Sequence, residues 1–143
     1  MITKPPLLQK GDRVAIIPPA KAIDLSYIQE AEDLLTDWGL EPVRSDNVSS
    51  RHFQFAGPDT TRRNALQKLL DDPSIRAIFS ARGGYGTTRI IDHIDFKKFL
   101  EFPKWIIGYS DITVLLNKLY ALDMVGIHGP MPLNFGEENA GES

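Results

Sequence analysis

The chain of 143 residues contains no cysteine, so it has no disulfide framework, no thiol nucleophile and no thiolate metal site. Nor does it hold a long apolar run: nothing approaches the roughly 18 apolar residues of a membrane span. The N-terminus, Met1-Ile-Thr-Lys-Pro-Pro6, lacks the charged-then-apolar layout of a signal peptide, and a cytoplasmic location is expected. Strong charge of either sign is also missing. The net charge is −3 and the basic residues stand singly or in pairs such as Arg62-Arg63 and Lys97-Lys98, which argues against a nucleic-acid partner. There is no His-Glu-x-x-His and no clustered His and carboxylate spacing, so neither metal nor cofactor is expected. What is present, 42% hydrophobic and 24% charged residues, suits one domain with a sizeable core.

Apolar runs at 13–17, 75–81, 104–109 and 124–128, with a weaker one at 40–43, read as strands. Between them lie helical patterns. Ile28, Ala31, Leu35 and Trp38 fall at helical spacing after a start at Asp24 or Ser26, and Gly39 is placed as the stop. A second helix is expected over 60–70, a short one over 95–102, and a last one carrying Ile112, Leu115, Leu116 and Leu119. The polar stretch 45–58 reads as a loop with aromatic anchors. Strands alternating with helices predict an α/β domain with a mostly parallel sheet and helices on both faces.

Two strand ends carry chemistry. Arg82-Gly-Gly-Tyr-Gly86 has three glycines in four residues, which permits positive φ angles and close backbone approach to a ligand, although no nucleotide-binding glycine pattern is present. The run Lys104-Trp-Ile-Ile-Gly-Tyr-Ser-Asp-Ile-Thr113 delivers a serine to a strand-to-helix turn, beside N–H groups that could hold an oxyanion. Ser110 is thus a candidate nucleophile, with helix N-cap as the alternative reading. Pro18-Pro19, the glycine loop, Tyr109-Ser110-Asp111 and His128-Gly129-Pro130 all follow strand ends, so a parallel sheet would gather them on one rim.

In this order, Leu8-Gln-Lys-Gly-Asp-Arg-Val-Ala-Ile-Ile-Pro-Pro-Ala20, Phe55-Ala-Gly57, Arg63-Asn-Ala-Leu-Gln67, Ala81-Arg-Gly-Gly-Tyr-Gly86, Ile107-Gly-Tyr-Ser-Asp-Ile-Thr113 and His128-Gly-Pro130 resemble the N-terminal part of the LD-carboxypeptidases. These are serine peptidases that include the muropeptide and microcin-immunity enzymes. The resemblance implies a flavodoxin-like or glutamine-amidotransferase-like single domain. It matches Ser110 to the nucleophile, and the N–H of Asp111 with one from Gly83 or Gly84 to the oxyanion hole. The Asp111 carboxylate is read as first-turn charge complementing the helix dipole. Tyr85 and His128 are candidate substrate contacts.

The resemblance also implies a homodimer, a murein peptide substrate and an L,D-amide hydrolysed through an acyl-enzyme. In the family a second domain supplies the Glu and His of the triad, and nothing in this sequence matches it. Residues 1–133 are therefore expected to form the nucleophile-bearing domain, with 134–143 a linker or tail, and the fragment alone is expected to be inactive. His52 and His93 are expected to be solvated. A non-catalytic small-molecule binding domain of flavodoxin-like fold is the rival reading.

Overall fold

The computed structural model describes residues 2–135; the rest of the expected tail, 136–143, lies outside the described residues. Five parallel strands, β1 (Arg13–Ile17), β2 (Glu41–Arg44), β3 (Ile75–Ser80), β4 (Trp105–Gly108) and β5 (Ile127–His128), form one sheet in the order β2-β1-β3-β4-β5. This is the doubly wound order in which the chain reverses direction between β1 and β3, and the crevice beyond those strand ends is where such sheets bind ligands.

The helices α1 (Leu25–Asp37), α2 (Asp59–Asp71), α3 (Lys97–Glu101) and α4 (Thr113–Ala121) divide between the faces. On one face Ile28, Ala31 and Leu35 of α1 pack on Val14, Ile16, Ala77 and Phe79. On the other, Leu66, Leu69 and Leu70 of α2, Phe99 of α3 and Leu115 and Leu119 of α4 pack on Ala15, Ile17, Ile78 and Ile106. Strand residues alternate between these two sets, as the pleat requires of a sheet buried on both faces. Each fully buried Leu or Ile stabilises the fold by roughly 1.5–3 kcal/mol.

Gly39 ends α1 at φ +85°, as its position predicted. Trp38 departs from the expected apolar stripe. The helix stops at Asp37, so the indole lies past the last turn and is 61% exposed. In the 45–58 loop Phe55 is buried as an anchor, whereas Phe53 is exposed. Lys104 is 1% exposed, and its Nζ donates to the carbonyl oxygens of Leu69 (2.7 Å) and Asp72, closing the C-terminal end of α2. Asn134 and Phe135, the expected start of the tail, are packed: Tyr109 Oη donates to Asn134 Oδ1 at 2.9 Å, and the Phe135 ring stands edge-on to Phe79.

Candidate active site

Strand β4 ends at Gly108, where an added Cβ would come within 2.8 Å of the Ile112 side chain. That missing methyl lets the chain fold back at once. Tyr109 is extended, and Ser110 then opens a 3-10 turn, Ser110–Ile112, that runs into α4. Ser110 adopts φ +59°, a left-handed conformation costing an L-residue roughly 1–2 kcal/mol, and its side chain is exposed. The N-cap position of this turn falls on Tyr109 and that of α4 on Ile112, so Ser110 occupies neither N-cap position. The first bond of the turn runs from Ile112 N–H to Tyr109 O (3.3 Å), which leaves the N–H groups of Ser110 and Asp111 ahead of the ladder.

The glycine loop after β3 meets this turn directly. A Cβ on Gly83 would sit 3.4 Å from both Asp111 N and Ser110 Cβ, so the loop backbone lies against the Ser110–Asp111 peptide. Gly84 and Gly86 take φ +102° and +141°, which side chains disfavour. The Asp111 carboxylate does more than complement a helix dipole. One of its oxygens accepts both the backbone N–H of Thr87 (3.1 Å) and its hydroxyl (2.6 Å), tying the exit of the glycine loop to the serine turn. Thr87 is fully buried.

Against the loop sits Arg62, the largest fully buried side chain among the described residues. Its Nε donates to Gly57 O (3.2 Å), one terminal nitrogen donates to both Pro19 O and Gly86 O (2.9 Å each), and the other pairs with Asp59. The guanidinium also lies 4.7 Å from the Phe55 ring centre. A single cation thus joins the loops after β1 and β3 and the start of α2. Burial draws its pKa down and Asp59 pushes it back up, while a hydrogen bond from Arg89 holds the Asp59 carboxyl below the usual carboxylate range.

The remaining expected residues fall as follows. Tyr85 is 50% exposed on the loop, with its ring 6.2 Å from that of Phe55. His128 is exposed at the end of β5, its ring 6.0 Å from that of Tyr109, and it pairs in register with Gly108, two residues before the serine. His52 and His93 are exposed, as expected. Among the described residues no histidine is hydrogen-bonded to Ser110, and no three His, Asp or Glu side chains cluster as a metal site would require. No helix among them is long and apolar enough to cross a membrane.

Arg62, Thr87 and Lys21, which packs on Gly84, were not singled out by motif. A signal for Arg62 existed: it falls three and four residues before Ala65 and Leu66, on the buried side of α2.

The profile of the LD-carboxypeptidase N-terminal domain matches residues 14–129. The chain belongs to the LD-carboxypeptidase family. A murein tetrapeptide carboxypeptidase of Pseudomonas aeruginosa is 32% identical over 125 residues, covering 87% of this chain and 41% of that protein. The Bacillus subtilis protein named "Probable murein peptide carboxypeptidase" is 36% identical over 129 residues, 90% of this chain and 40% of its own length. Among solved structures, the microcin C7 self-immunity protein in complex with aspartyl sulfamoyl adenosine is 25% identical, with a TM-score of 0.86 over 97% of this chain and 42% of that one. The chain spans about two fifths of the length of the curated relatives it matches. The α/β fold with a parallel sheet is that of LD-carboxypeptidase N-terminal domains.

Proposed function

We propose that this chain is the nucleophile-bearing part of a serine carboxypeptidase that hydrolyses the amide between an L-configured centre and a D-amino acid in murein tetrapeptides. The observation that carries the reading is Ser110 itself: exposed, held at φ +59°, and set with the Ser110–Asp111 peptide against Gly83. Such local strain is retained where the conformation is used. Ser110 Oγ, giving its proton to the triad His, attacks the scissile carbonyl carbon, the N–H of Asp111 with one from Gly83 or Gly84 holds the oxyanion, and the His passes that proton to the departing amine. The amine of the D-amino acid leaves, and water then releases the acyl group from Ser110. Tyr85 and His128 flank the substrate.

The triad Glu and His come from chain beyond these residues, so residues 1–133 act as one domain and have negligible activity alone. The complete protein works in the cytoplasm, in peptidoglycan recycling, as a homodimer. A microcin-type acyl-sulfamoyl substrate is a second reading, favoured by the likeness to the self-immunity protein solved with aspartyl sulfamoyl adenosine. The test is mass-spectrometric mapping of a fluorophosphonate adduct in the complete gene product, together with release of D-alanine from murein tetrapeptide. Adduct on Ser110, and turnover lost in Ser110→Ala, are expected. A protein that neither labels nor turns over is the non-catalytic binding domain instead.

A further inference from the structure

The chain as a whole carries −3, yet cations gather on the glycine loop that meets Ser110: Arg62 bonds Gly86 O, Lys21 lies on Gly84, and Arg82 and Arg89 flank the loop in the chain. Arg62 and Arg89 share one carboxylate, Asp59, and the Asp111 carboxylate is engaged by Thr87. Two further cations have no carboxylate among the described residues. Arg82 makes one bond, to Ala22 O at 3.3 Å, and its buried Nε has no acceptor. Lys21, half-buried, has neither hydrogen-bond acceptor nor counter-ion among the described residues.

The position of Lys21 is fixed. Its backbone bridges to Phe55, flanked by bonds from Ala22 N–H to Gln54 O and from Ala56 N–H to Ala20 O, each 2.9 Å. Its aliphatic stem lies across Gly84: a Cβ there would fall 2.4 Å from Lys21 Cδ and 2.8 Å from Cε. The neighbouring Gly83 touches the Ser110–Asp111 peptide. A lysine laid over a loop surrenders rotamer freedom, and here no ion pair offsets it.

A carboxypeptidase substrate has a feature that fits this place. Its free carboxylate belongs to the leaving residue, only one residue from the carbonyl under attack, a span of at most about 3.8 Å between successive Cα atoms. Whatever group reads that carboxylate must stand next to the nucleophile. We propose that Lys21 binds the free α-carboxylate of the departing D-amino acid, selecting chain ends over internal amides. The proposal rests on the peptidase reading given above.

The test uses the complete gene product carrying Ser110→Ala, so that binding is measured without turnover. Calorimetry compares a murein tetrapeptide with the same peptide bearing a C-terminal carboxamide. The free acid is expected to bind about ten- to a hundredfold more tightly, the range of a charge-assisted hydrogen bond. Adding Lys21→Met, which keeps the stem on Gly84, is expected to erase that preference, and Lys21→Arg to retain part of it. A preference that survives Lys21→Met, or no preference before it is introduced, overturns the assignment while leaving the peptidase reading intact. Failure of both peptides to bind overturns the murein-substrate reading and the assignment together.

Discussion

Replacing Arg62 by methionine removes one buried cation and strands two backbone carbonyl oxygens, those of Gly57 and Pro19, while Gly86 O keeps the N–H of Arg89 at 3.2 Å. Asp59 is not stranded, because Arg89 still donates to it at 3.0 Å. Each of the two orphaned acceptors costs about 1–3 kcal/mol, and relief of the guanidinium's own desolvation offsets part of the total, so a net loss of about 2–4 kcal/mol is expected. Against an ordinary domain stability of about 5–15 kcal/mol this is a large loss, corresponding to a melting temperature lower by roughly 6–15 °C. Lysine should recover only part of it, since an ammonium cannot reproduce the planar fork that reaches three loops at once. The damage should also be directional. Gly86 immediately precedes Thr87, so loss of the Arg62 bond to Gly86 O should loosen the tie from Thr87 to Asp111. Thermal unfolding followed by circular dichroism gives the first quantity, and amide exchange at Thr87 the second. A fall of less than about 4 °C, or unchanged exchange at Thr87, would refute the view of Arg62 as the common anchor of these loops.

Other consequences are measurable. Ser110→Gly should raise stability by about 1 kcal/mol by relieving the left-handed strain while abolishing serine labelling; a destabilised variant would contradict the strain. Thr87→Val, nearly isosteric and fully buried, removes the 2.6 Å bond to Asp111 and should lower kcat of the complete enzyme roughly tenfold or more with KM little changed, whereas Thr87→Ser should recover most of the loss. Burial lowers the Lys104 ammonium to about 8, below its value in the unfolded chain. Between about pH 8 and pH 10.4 the unfolded chain therefore binds more protons, and stability should rise with pH by as much as about 3 kcal/mol. A neutral amine still has two N–H donors for Leu69 O and Asp72 O. Denaturant titrations of wild type and Lys104→Met at both ends of that window test this, and equal slopes in the two proteins would disprove it.

Much of the architecture was legible because it depends on local pattern. Strand β1 matches its apolar run at both ends, Gly39 stops α1 where a left-handed residue is needed, and the stripe Ile28, Ala31, Leu35 is buried as its spacing requires. Trp38 leaves the stripe because periodicity does not report where a helix ends. The last strand shrank to Ile127–His128, since only those residues find partners on β4.

At the site, the sequence by itself determined which residues stand at strand ends, where glycine is needed and where a serine meets a helix, because each is a matter of neighbours in the chain. Parallel strands then oblige those ends to share a rim. Only the tertiary structure decided what joins them. The bond from Thr87 to Asp111 crosses 24 residues and that from Arg62 to Pro19 crosses 43, and no local propensity encodes a partner at such separation. Buried polar groups must find whatever acceptors packing brings near, so Arg62, Thr87 and Lys21 acquired their places from the fold and not from any motif.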